Sequence, residues 1–341
     1  MTTTAIRHLL SKCKVHGTGD AQVIISDSEL YVLLSISMQD LNWSSTELGL
    51  SDIEVHNDYY QIPIKWFSTS EIPHASSELL LRVLDNAVGK HPDFALYIQN
   101  LCALHRRRVK YLRILETQPL AQADQIGPRS LLEFGSCDLE LLFSWMTWRK
   151  WIYDIDNRSA QETGYLFEPI LASCLGGEPI GARNSPVKRL DGDGKPTRNG
   201  RQIDCFVAEG NLVYEFKLRV TIAASGQGRF SEELSFPREC KAAGFTPVLL
   251  VLDPTSSPRL TDLAEEFINA DGIAMTGEEA WEHIEDNAGQ ILSVYVEKYI
   301  RPPIDAIGSI DNRLPLSLNL SWSKKSISIA SENAKYEIRC E

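Results

Sequence analysis

The sequence predicts an α/β protein with a largely helical N-terminal region and a short β-rich C-terminal tail. Three observations lead there. From residue 162 the apolar patterning runs helix, strand, strand, strand, helix, strand. From Pro73 to Ile155 apolar residues recur at helical spacing, whereas over residues 316–340 they alternate. A chain of 341 residues buries about three quarters of its unfolded surface and corresponds to about two domains.

Taken in order, Glu29 to Gln39 is an apolar run that fits either helix or strand, and Tyr59 to Phe67 reads as a short strand that Pro63 confines to an edge. Ser76 or Ser77 caps a helix through Glu78 to Leu84, which Gly89 stops. Pro92 sits where an N1 proline belongs, opening a helix with Phe94, Ile98, Leu101, Leu104, Leu112 and Leu115 at helical spacing. Ser130 to Ile155 is a further helix, and its Trp145, Trp148 and Trp151 stripe reads as core or a helix–helix seam rather than a binding platform.

A new unit begins near Arg158. Gly164 to Leu175 forms an amphipathic helix bearing Glu168 and ended by Gly176-Gly177, and Pro179 to Leu190 reads as a strand. The loop Asp191 to Pro196 resembles the start of a calcium loop. Lys195 at its fifth position and Gln202 at its twelfth, where a glutamate is needed, make it a solvated turn instead. Gln202 to Val207 and Leu212 to Leu218 are apolar strands joined by the turn Glu209-Gly210-Asn211. A helix from Phe230 to Ala243 and a buried strand from Pro247 to Leu252 follow. Ser257 to Asn269 and Glu278 to Glu285 are acidic helices, Ile291 to Ile300 fits helix or strand, and residues 316–340 make two or three short antiparallel strands. The expected division is 1–157, 158–300 and 301–341.

Composition bounds the class. Hydrophobic residues at 43% and charged residues at 23% are ordinary for a soluble globular chain, and no window approaches a membrane span. Seven cysteines, odd in number and never spaced C-x-x-C, argue against a disulfide framework or zinc site. With no apolar leader in MTTTAIRHLLSKCK, a cytoplasmic protein is expected. The net charge of -12 hides a division: Leu260 to Glu297 holds ten acids and no Lys or Arg, whereas Arg183 to Arg201 holds six bases against two acids. Leu101 to Leu115 holds five bases and no acid. A polyanion can therefore meet a basic surface although the sum is acidic.

The chemistry concentrates in the hairpin Gly200 to Val220. Residues two apart in a strand share a face, so Glu215 and Lys217 lie with Val213, and the hairpin brings Asp204 beside Glu215. Charges among bulky strand formers carry a desolvation cost, so the cluster is either a structural salt bridge or a site. Asp204, Glu215 and Lys217 spell D-x10-E-x-K. Phosphodiester hydrolysis needs a divalent metal, magnesium favours carboxylates plus waters, and a nearby lysine can hold the attacking water or offset transition-state charge. A second E-x-K, Glu239-Cys240-Lys241, lies in a helical segment without strand patterning and is set aside.

With these residues in view, IDCFV…LVYEFKLRV, together with Glu168 on the preceding helix, resembles the PD-(D/E)XK nuclease superfamily and, within it, the type II restriction endonucleases, over roughly residues 160–255. The resemblance implies a restriction-endonuclease-like core, a mixed sheet flanked by helices. It also implies magnesium-dependent cleavage of double-stranded DNA, with Mn2+ able to substitute, and a homodimer on a palindromic site. By the same likeness Asp204 and Glu215 are metal ligands, Lys217 the catalytic lysine and Glu168 a further candidate ligand. Ile203 stands where the family pattern has proline. Arg183, Lys188, Arg189, Arg198, Arg201, Gln227 and Arg229 are candidate DNA contacts, and the N-terminal region would supply recognition or dimerisation. Another nuclease on the same core and a non-catalytic DNA-binding protein are the competing readings. The absence of G-x4-G-K-[ST] argues for a stand-alone enzyme with no nucleotide cofactor.

Overall fold

The apolar runs of the Gly200 to Val220 hairpin and of residues 246–251 form the middle of a five-stranded mixed sheet. In the computed structural model the described residues are 3–15, 23–69, 72–126, 138–217, 227–253, 257–309 and 318–340. The strands are β1 Glu178–Ile180, β2 Lys188–Leu190, β3 Pro196–Gly200, β4 Ile203–Val207, β5 Leu212–Lys217, β6 Thr246–Val251 and β7 Ile273–Thr276, then β8 Asn319–Ser323, β9 Ser326–Ala330 and β10 Lys335–Arg339. The main sheet has the order β1-β4-β5-β6-β7. β1 and β5 flank β4 antiparallel, while β6 runs parallel to both β5 and β7. The α/β fold class expected from the element order is therefore borne out.

Local chemistry explains the connections. The β4–β5 turn puts Gly210 at φ 97° and Asn211 at φ 55°, which these two residue types tolerate. Parallel neighbours need crossovers, and helices Gln227–Ala242 and Pro258–Asn269 supply them. Phe236 and Cys240 of the first helix and Leu260, Leu263 and Phe267 of the second bury themselves with Val213, Leu249 and Val251. Residues of opposite parity face the other layer, where the Tyr214 ring meets His283 of helix Glu278–Tyr295. Strand β6 is covered on both faces, as its unbroken run of aliphatic residues requires.

The chain divides into two compact units. One comprises Met1–Lys14, Ile25–Cys102 and Phe167–Ile310, and the other Val15–Ile24, Ala103–Leu166 and Asp311–Glu341. In the first, helix Asp27–Asp40 is buried from Leu30 through Met38, and Ser26 and Glu29 form a capping box at its start. This settles the Glu29 to Gln39 run as helix. In the second, Trp151 and Ile155 pack with Leu115, Ile327 and Ile338 under the antiparallel sheet β10-β9-β8. Trp148 meets Trp151 edge-on at 5.7 Å, so two members of the tryptophan stripe belong to a packed cluster, while Trp145 is 55% exposed.

Several expectations are corrected. Tyr59 to Phe67 is two 3-10 turns, Tyr59–Gln61 and Ile64–Ser68, with no strand partner among the described residues. Asp58 caps Tyr60 N–H, and Tyr59 and Ile62, three apart, both point inward, as eclipsed 3-10 side chains do. The helices expected at 130–155 and 164–175 are one helix, Leu139–Cys174, which carries Pro169 within it; residues 130–137 lie outside the described residues. It ends in a Schellman motif, with Gly176 at φ 70° and the Gly177 N–H bonded to Ala172 O. Helix Ser77–Lys90 passes through Gly89 rather than stopping there. The Pro179 to Leu190 stretch splits into β1 and β2, and β3 and β7 are short strands that the patterning did not signal. Among the described residues no helix is long and apolar enough to cross a membrane.

One tie holds the β2–β3 hairpin to the sheet's flanking helix. Arg201, 8% exposed, donates from Nε to Glu239, and from Nη2 to Glu232 O at 2.9 Å and Ser235 Oγ at 2.7 Å. Glu239 also accepts the Leu190 N–H at 3.2 Å. Removing one member of a buried pair strands the other, a loss of about 3–5 kcal/mol. Arg201→Ala and Glu239→Ala are each expected to lower the unfolding free energy by that order, measured by urea unfolding. An unfolding free energy within about 0.5 kcal/mol of wild type, the scatter of surface changes, would contradict it.

Candidate active site

Asp204 and Glu215 are brought together by register. Cys205 pairs with Tyr214 and Phe206 with Val213 across the β4–β5 ladder, which sets Asp204 opposite Glu215 on the same face. Asp204 is buried, and its Oδ2 accepts the Phe216 N–H at 2.9 Å. Glu215 Oε1 lies 2.8 Å from Lys217 Nζ. Both stand toward the carboxyl end of β5, which runs parallel to β6; in open α/β sheets that is the end where ligands bind. Glu168, half-buried near the end of helix Leu139–Cys174, feels the charges of both Glu215 and Lys217. The structure thus gathers all four residues of the sequence-derived site.

The electrostatics are those of a site short of positive charge. Burial, reinforced by Glu215 and Glu168, pushes the Asp204 carboxyl well above its ordinary value. Burial and the Glu215 charge raise Glu168 likewise, against the pull of Lys217. Burial alone would lower the Lys217 ammonium, but Glu215 and Glu233 override it and raise it. Carboxylates crowded this way favour a bound cation or shared protons.

The donor set fits a hard divalent cation. Among the described residues no three His, Cys, Asp or Glu groups form a ready-made cage. Magnesium characteristically takes one or two carboxylates and keeps its waters, which is what Asp204 and Glu215 offer, with Glu168 close by.

The basic candidates separate. Arg183 and Arg198 are exposed on the loop and strand around the β2–β3 hairpin. Lys188 Nζ donates to Ser185 O at 2.7 Å, and Arg189 forms a fork with Glu232 at 2.9 and 3.1 Å. Arg201 is the buried tie described above. Gln227 and Arg229 open helix Gln227–Ala242, and their side chains lie outside the described residues.

One residue of the cluster escaped the sequence reading. Glu233 Oε1, from helix Gln227–Ala242, stands 3.4 Å from Lys217 Nζ. A signal was available: Glu233 falls in helical step with buried Phe236 and Cys240, so an acid occupies a core-facing stripe.

A buried aspartate set opposite a part-buried glutamate, with a lysine beside them at the carboxyl end of a mixed sheet, has the donor set of a phosphodiesterase site, and the comparisons with known proteins identify a nuclease. The chain belongs to the ApaLI-like restriction endonuclease family, whose match spans residues 50–301 and so includes every residue of the cluster. It is similar to the type II restriction enzyme ApaLI of Acetobacter pasteurianus, 42% identical over 304 residues that cover 86% of this chain and 80% of the relative. No solved structure matches it. The resemblance read from the hairpin is borne out, and family membership makes the chain an endodeoxyribonuclease that cuts DNA at specific sequences.

A carboxyl raised by burial weakens the fold once it ionises. The sign follows directly: stability is complete below the ordinary carboxylate value and declines as pH rises toward the elevated one. In the absence of divalent cation, Asp204→Asn is expected to raise the melting temperature at pH 8, with the gain shrinking as pH falls toward 4. A variant less stable than wild type across that range would contradict the assignment of a strained carboxylate.

Proposed function

We propose that this restriction endonuclease is a type II enzyme that makes double-strand cuts at a short sequence, leaves 5′-phosphate ends and uses Mg2+, with Mn2+ able to substitute. The observation that carries the reading is Asp204 fixed opposite Glu215 with Lys217 beside them, inside the matched family region. Asp204 and Glu215 would hold the cation, with Glu168 as a further ligand. A bound divalent ion there would polarise the scissile phosphoryl group and lower the pKa of water. Lys217, charged and anchored by carboxylates, holds the attacking water in line and offsets negative charge gathering on the phosphoryl oxygens. Burial of Asp204 keeps bulk water from screening these charges.

We assign residues 158–300 to the catalytic core, residues 1–157 to recognition or dimer contacts, and residues 301–341 to the small β-rich tail. Arg183 and Arg198, exposed near the core, suit contacts to DNA phosphates, which position a duplex without reading its sequence. The enzyme acts in the cytoplasm as a homodimer on double-stranded DNA, without a nucleotide cofactor. The scattered cysteines support the compartment: Cys13, Cys102, Cys174, Cys205 and Cys240 are free and buried.

The reading is tested with plasmid or phage DNA in Mg2+. Wild type should yield discrete fragments whose sequenced ends define one site. Lys217→Ala and Asp204→Ala should each lower the cleavage rate by about 10²–10³-fold or more, while gel-shift binding in Ca2+ stays close to wild type. Full cleavage by either variant overturns the site.

A further inference from the structure

Lys217 stands between two carboxylates from different elements: Glu215 Oε1 at 2.8 Å, from its own strand, and Glu233 Oε1 at 3.4 Å, from helix Gln227–Ala242. In the proposed reaction these acids have unequal duties. A carboxylate that serves a cation cannot also hold a lysine ammonium at full strength on the same lone pairs. Glu215 carries that double demand. Glu233 does not lie on the strand ladder, and its second oxygen, Oε2, is buried without a hydrogen-bond partner among the described residues. As an ordinary surface ion pair this arrangement would make little sense, because Oε2 is withdrawn from water while only Oε1 makes the 3.4 Å contact.

The helix that carries Glu233 is itself tied down. Glu232, the preceding residue, pairs with Arg189, and its carbonyl accepts from Arg201. Six residues beyond, Glu239 takes the Arg201 guanidinium. The stretch bearing Glu233 is thus clamped on both sides, which fixes its carboxylate relative to Lys217.

We propose that Glu233 is a positioning residue for Lys217: it is the lysine's own acceptor, holding the ammonium in place so that Glu215 is released to serve the cation. The inference rests on the nuclease reading of the Asp204–Glu215–Lys217 site. It gives the buried Arg201 tie a functional meaning, since that tie sets the helix on which Glu233 stands.

The test compares full-length wild type, Glu233→Gln, Glu233→Asp and Lys217→Ala on plasmid DNA in Mg2+. Thermal melts check folding, and Ca2+ titration calorimetry reads cation affinity. Glu233→Gln is expected to lower kcat about 10- to 100-fold, with KM and Ca2+ affinity within about twofold of wild type, the signature of misplaced chemistry rather than lost binding. Glu233→Asp, which keeps the charge, should recover part of kcat; should Glu233→Gln not fold, Glu233→Asp carries the test through an intermediate kcat at unchanged KM. Wild-type kcat in Glu233→Gln, or in its place wild-type kcat in Glu233→Asp, overturns the proposal. Tenfold weaker Ca2+ binding also overturns it, making Glu233 a cation ligand instead. Silence of Lys217→Ala beside full activity of Glu233→Gln would sink only this inference, whereas full activity of Lys217→Ala would sink the site reading itself.

Discussion

Two carboxylates held opposite one another by a sheet register form the constraint around which this protein is built. Asp204 and Glu215 cannot separate without breaking the β4–β5 ladder, and that ladder lies at the centre of the main sheet. Like charges at such range repel, and burial magnifies the repulsion. What offsets it is local: the Phe216 N–H on Asp204, the Lys217 ammonium on Glu215, and the apolar layer of Val213, Leu249, Val251 and Phe236 beneath. The site is a destabilised spot carried by a well-packed core, as expected where residues are arranged for chemistry rather than stability.

Helix Gln227–Ala242 shows how the structure distributes its charges. It presents acids to three different basic partners: Glu232 to Arg189, Glu233 to Lys217 and Glu239 to Arg201. Bases that look in sequence like one positive patch are therefore divided between surface and interior. Arg183 and Arg198 face solvent, while Arg201 is an internal strut. Charge counted along the chain measures composition, whereas burial decides which charges a polyanion can meet.

Much of the fold could be read in advance where the signal is local. Helical spacing, capping serines and the glycine pair at 176–177 announce the helices, and the buried run of β6 and the alternation of β8 to β10 announce strands. Readings failed where long-range packing outweighed local pattern. Tyr59 to Phe67 has strand-like composition but, among the described residues, no sheet edge to join, and it coils into 3-10 turns. The short strands β3 and β7 exist only because a partner awaits them.

The amino-acid sequence by itself determined the candidate trio, because strand periodicity and a short turn suffice to set Asp204, Glu215 and Lys217 on one face. It also determined the α/β class, since the order of elements is written in hydrophobic period. The tertiary structure alone decided that Glu168 approaches the trio, that Glu233 is Lys217's second partner and that Arg201 lies inside. Those outcomes depend on how helices dock across the sheet, a matter of contacts between residues from 16 to 49 positions apart, which no local spacing encodes.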